Sequence, residues 1–188
     1  MGNHTSKAEN NVESRSAYAF DMKIEVLVIP TTDVDRAKRF YTRLGWQLDL
    51  DFAADDGYRV IQFTPPGSAC SIIFGSNVTD ATPGSARDHC LVVSDILAAH
   101  RELVSRGIDV GPPFHDAGGI FHRADRKTQV RGPHPQRASY ASYACFSDPD
   151  GNRWFLQEVT ARLSNVVEAG DTRFTTEIVS AIRSRAEV

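Results

Sequence analysis

Cysteine is scarce in this chain, and long apolar runs and an excess of charge of either sign are absent. The 188 residues hold three cysteines, Cys70, Cys90 and Cys145, an odd number set far apart with no second Cys beside any of them. That spacing excludes a disulfide framework and a thiolate cluster, and it suggests the reduced, buried thiols of a cytoplasmic protein. No apolar stretch approaches the roughly 20 residues that cross a bilayer, so no membrane partner is expected. A formal charge of −3 gives no global attraction to nucleic acid or to an acidic surface. Small molecules remain as the default partners. Residues 1–21 are polar, without the basic start and apolar centre of a signal peptide, and are expected to form a disordered tail.

An apolar content of 41% is enough to build a core, and its arrangement is repetitive. Ile24 to Ile29 is a short apolar run ending at Thr32-Asp33, residues that cap helices. Val34, Ala37, Phe40, Tyr41 and Leu44 then recur at helical spacing, and Gly45 stands where a left-handed cap is expected. Three strand-like runs follow, Gln47 to Phe52, Tyr58 to Phe63 and Cys70 to Phe74, separated by Asp-Asp-Gly and Pro-Pro-Gly turns. After a loop from Ser76 to Arg87 the same grammar returns. A strand from Cys90 to Val93 leads to caps Ser94-Asp95, then to a helix with Ile96, Ala99 and Leu103 inward that stops at Gly107. Asp33 to Gly45 and Asp95 to Gly107 have equal spacing, as a duplicated unit requires. Strands are expected again at Ile108 to Val110, Tyr140 to Phe146 and Arg153 to Val159. The fold class is therefore α+β, with two βαβββ modules, about 22–79 and 88–160, forming a curved mixed sheet around a pocket.

The segment Val26 to Trp46, with its Asp-Val-Asp-Arg-Ala-Lys-Arg-Phe-Tyr-Thr-Arg-Leu-Gly core, and the Asp148-Pro149-Asp150-Gly151-Asn152 turn resemble the vicinal oxygen chelate superfamily of glyoxalases, bleomycin-resistance proteins and extradiol dioxygenases. The resemblance spans Met22 to Thr160. It implies a small-molecule site between the modules and one divalent metal, held by side chains on the first and last strand of each half. The ligand slots by that resemblance are Val26, Asp88 and Phe155, and no Asp, Glu or His occurs between Gln62 and Thr79. One carboxylate is a poor site for a divalent ion, so no metal is expected. By alternation His89 should face the helix layer, and Glu158 should point away from the pocket.

The connection at residues 112–139 is long for a compact domain. It holds His115, His122 and His134 together with five Arg or Lys against two Asp. Phe114 and Phe121 would dock this loop over the pocket mouth, with His115 and His122 as acid-base or polarising groups. His115, Asp116 and His122 form an alternative metal set; His134 and His100 are expected to be structural or solvated. Past Thr160, within an extension of residues 161–188, Phe174, Ile178, Val179 and Ile182 mark a helix whose docking partner the sequence leaves open. The leading expectation is a metal-independent lyase or isomerase type of enzyme, with Asp88, its pKa raised by apolar surroundings, as the base alongside His115 and His122. Val26, Val28, Ile73, Tyr140, Tyr143, Phe155 and Gln157 would bind its substrate. The alternatives are a protein that sequesters a drug or metabolite, and a metal-dependent lyase or dioxygenase with a rearranged site. A homodimer is the expected assembly.

Overall fold

The computed structural model describes residues 21–164 and 166–185, so the tail expected over 1–21 lies, apart from Asp21, outside the described residues. Strands β1 (Val26–Val28), β2 (Gln47–Ala53), β3 (Arg59–Thr64) and β4 (Ser71–Ser76) surround helix α1 (Val34–Arg43) in sequence. They form one sheet in the order β1-β4-β3-β2, with β1 parallel to β4. The second module repeats this plan with β5 (His89–Val93), α2 (Ile96–Ser105), β6 (Phe114–Asp116), β7 (Gln129–Arg131), β8 (Ser142–Ser147) and β9 (Arg153–Glu158). Its sheet order is β5-β9-β8-β6-β7, with β5 parallel to β9. The two modules are the α+β pair that the repeat requires.

Equivalent residues mark both helices. The Asp33 carboxylate accepts the backbone N–H of Arg36, and that of Asp95 accepts those of Leu97 and Ala98. Each cap satisfies donors that the first turn leaves unpaired. Gly45 and Gly107 end the helices at φ of +80° and +75°, a backbone region that L side chains resist.

The second strand of the second module departs from expectation. Val110 makes only an isolated bridge to Phe146, and the ladder resumes at β6. Pro112 and Pro113 lie between and bring no N–H to the edge of β8. Nor is the long connection structureless, because β7 folds back on β6 as a hairpin.

Both helices lie between the sheets. The helix-facing side chains of both modules, among them Tyr41, Trp46, Phe63, Phe74, Phe146 and Trp154, make one buried cluster. Trp46 meets Trp154 edge-on at 5.4 Å, and Phe40 lies 6.2 Å from Phe146. Reopening this space would expose those rings at roughly 2 kcal/mol or more each, so it is core rather than a ligand cavity. The two motifs singled out in the sequence meet here. Tyr41 donates its hydroxyl to Asp148 at 3.0 Å, and Thr31, Thr32 and Arg36 donate to Asp150. The turn of the second module thus locks onto the first helix.

Helix α3 (Thr176–Arg185) holds the expected Ile178, Val179 and Ile182, with Thr175 accepting the N–H of Ile178. It packs on its own chain, where Ile178 and Val179 join Val167 and Phe174 against Tyr140.

Candidate functional site

Alternation along β9 sorts its side chains into two sets. Trp154, Leu156 and Glu158 face the helices, while Arg153, Phe155 and Gln157 face away. Glu158 is buried, accepts the N–H of Ile96 at the start of α2 and pairs with Arg137, so it serves the fold. His89 also lies on the inner face, its ring 5.2 Å from that of Trp154.

A cavity of about 220 Å³ lies on the outer face of the second sheet, between β8, β9 and the hairpin connection. Its walls include Asp88, Phe114, His122, Arg126, Arg153 and Phe155. The apolar side is aromatic. Phe114 stacks on Tyr143 at 5.5 Å, and the His122 ring lies 4.2 Å from that of Phe155 and 5.0 Å from that of Tyr143. Burial lowers the pKa of His122 below its usual value, Asp88 opposing and Arg153 assisting. The imidazole is therefore held toward its neutral, stacking form.

Asp88 sits at the cavity rim with φ of +64°. Its carboxylate accepts Nε of Arg153 at 2.6 Å and Nη2 at 2.9 Å. These hydrogen bonds hold the carboxyl below its ordinary range, burial opposing. The raised pKa expected for Asp88 is thus reversed: the site is half open, and a charged partner outweighs desolvation. The same Arg153 guanidinium lies 5.6 Å from the centre of the Phe155 ring, within range of a cation–π contact.

Other expected site residues fall elsewhere. His115 does not reach this cavity. On β6, Phe114 and Asp116 turn toward it while His115 turns away, bonds the Gly132 carbonyl at 2.8 Å and lines a separate depression with His134 and Glu177. Asp116 accepts from Gly118, Thr128 and Arg123 and shapes the hairpin. The set His115, Asp116 and His122 therefore does not converge. Tyr143 and Gln157 are buried behind the aromatic wall, Gln157 donating to the Tyr143 hydroxyl at 3.0 Å. Tyr140 packs beside Phe174, and Phe121, still exposed, meets the Tyr140 ring edge-on at 6.1 Å instead of covering the cavity. Val26, Val28 and Ile73 share the outer face of the first sheet, so they cannot join Phe155 in one pocket of one chain. Cys90 is exposed and Cys70 and Cys145 half-buried, not buried as expected.

Sequence reasoning passed over Arg153, Arg126 and Cys145 as lining residues. Arg153 had a signal: it stands two residues before Phe155 and so shares its face. Arg126 had none, because hairpin geometry brings it to the rim.

A family model described as the glyoxalase/bleomycin resistance protein/dioxygenase superfamily matches residues 23–156. The chain belongs to that superfamily. Among solved structures it is similar to TnmS3, an antibiotic binding protein from Streptomyces sp. CB03234, at 25% identity and a TM-score of 0.56, covering 76% of this chain and 100% of that one. It is also similar to a glyoxalase/bleomycin resistance protein from the same organism, at 26% identity and a TM-score of 0.52, covering 72% of this chain and 100% of that one. A superfamily member from Sphaerobacter thermophilus DSM 20745 matches at 25% identity and a TM-score of 0.53, over 73% of this chain and 98% of that one. The search of curated proteins finds no match.

The residues at the superfamily's metal positions do not fit a divalent ion. Val26 and Phe155 carry no donor atom, and Asp88 is engaged by Arg153. Among the described residues no three His, Cys, Asp or Glu side chains are grouped as a metal would need. No helix among them is long and apolar enough to cross a membrane.

Proposed function

We propose that this protein binds and sequesters a flat organic molecule in the cavity of its second module, without a metal and without converting it. The observation that carries this is the Asp88–Arg153 pair. It holds the Asp88 carboxylate in an ion pair with a depressed pKa, a poor base, and the other carboxylate at the cavity, Asp116, is taken up by hydrogen bonds within the hairpin. What remains is a stacking surface of His122, Phe155 and Phe114, and recognition by stacking needs no proton transfer. Similarity to an antibiotic binding protein supports the same reading.

The test is calorimetric titration with planar aromatic compounds, followed by product analysis and metal analysis of the protein as purified. Binding without turnover is expected, with His122→Ala weakening affinity about fivefold, the range of an aromatic contact. Turnover, or near-equimolar zinc, iron, manganese or nickel, would overturn the proposal. Turnover lost in His122→Ala would favour a metal-independent lyase or isomerase instead, a reading supported by the near-neutral imidazole at the cavity.

The proposed assembly is a homodimer through the outer face of the first sheet. Val26 and Val28 on one edge strand and Leu50 and Phe52 on the other are each between 37% and 51% exposed there, exposed apolar side chains of the kind that an interface covers. Cytoplasmic residence belongs to the same proposal, suggested by three unpaired cysteines.

A further inference from the structure

We infer that the molecule bound in this cavity is an aromatic anion, a planar ring system carrying a carboxylate or a similarly charged acidic group. The inference rests on the proposed aromatic site and adds the charge of its ligand. Its basis is the balance of charged groups around the cavity. Three guanidinium groups line it, those of Arg123, Arg126 and Arg153, and two carboxylates, those of Asp88 and Asp116.

Both carboxylates are already engaged within the protein. Asp88 is held bidentately by Arg153, and Asp116 accepts two backbone N–H groups and the Thr128 hydroxyl. Two of the cations are not so engaged. Among the described residues the guanidinium groups of Arg123 and Arg126 make no ion pair within 4.0 Å, and Nη1 of Arg153 donates to no acceptor. Arg123 lies near Gly118 and feels Asp116 only at longer range. A ligand stacked on His122 and Phe155 would therefore find unsatisfied positive charge at its edge and no free negative charge.

Guanidinium groups match a planar carboxylate with paired, charge-assisted hydrogen bonds. A neutral ring of the same shape would offer those donors no charged acceptor. An anion satisfies them.

The experiment compares two isosteric probes by calorimetry, 2-naphthoate and 2-naphthamide, which share a ring system and differ in charge. Wild-type protein should bind the naphthoate about tenfold more tightly, as one hydrogen bond to a charged group provides. That advantage should shrink when salt is raised from about 0.05 to about 0.5 M, because Arg123 and Arg126 face solvent. In the double variant Arg123→Gln/Arg126→Gln the ratio of affinities should fall toward one. Phe155→Leu, which keeps the position apolar, should weaken both probes. Equal affinities in the wild type, with both weakened by Phe155→Leu, would overturn the anion and leave the aromatic site standing. Failure of Phe155→Leu to affect either probe would overturn the site itself.

Discussion

Replacing Arg153 by Met tests whether this one side chain is what keeps Asp88 from acting as a base. The substitution keeps a long apolar stem over Phe155 and deletes both hydrogen bonds to the carboxylate. Asp88 and Arg153 side chains are 40% and 30% exposed, so solvent screens the pair. Its bidentate geometry places it at the upper end for such pairs, about 1 kcal/mol after that screening. For a chain of this length that is a fall of about 2–4 °C in Tm at neutral pH. The pH dependence has a definite sign. The folded pKa of Asp88 is depressed, so its contribution is present above the unfolded value of about 3.9 and is lost as pH falls through the folded value. The difference in Tm between wild type and Arg153→Met should therefore be full at pH 7 and close in acid below about pH 4. Scanning calorimetry across pH measures it, and a carboxyl NMR titration of Asp88 should show its midpoint moving up in the variant. An unchanged midpoint would refute the view that Arg153 sets the charge state of the site.

Three further outcomes follow from the same geometry. Tyr41→Phe removes the donor that joins α1 to the buried Asp148, a loss of about 1.5 kcal/mol, and thermal melts should fall by about 3–6 °C with the fold retained. His122 has a lowered folded pKa, so the unfolded chain takes up its proton first as pH drops below about 6.5. Denaturant melts between pH 7.5 and 5.5 should show wild type losing more stability than His122→Gln; equal losses would place the imidazole in open solvent. Phe52→Asp puts a charge on the exposed face of the first sheet, and light scattering should show a dimeric wild type and a monomeric variant. A monomeric wild type would sink the proposed assembly.

The duplicated plan was legible because it depends on local chemistry. Asp33 and Asp95 cap, Gly45 and Gly107 stop, and apolar residues recur at helical spacing between them, each acting over one turn of chain. Strand alternation was equally legible, and it correctly turned His89 and Glu158 inward. It says only which residues share a face, however, not what that face meets. Whether the outer faces of the two sheets close on one another is decided by how the modules dock. Here Phe40, Tyr41 and Trp46 fill the space between the sheets, and Val26 and Phe155 are turned apart. The same limit explains Asp88. An expected apolar pocket floor of Val26, Val28, Ile73 and Phe155 suggested a raised pKa, but its charge state is set by Arg153, 65 residues away, brought alongside by the parallel pairing of β5 and β9. Composition, period and caps determined the modules, because those forces are short-ranged along the chain. Docking and long-range pairing decided the site, because which charge meets which ring depends on contacts that exist only once the modules have packed.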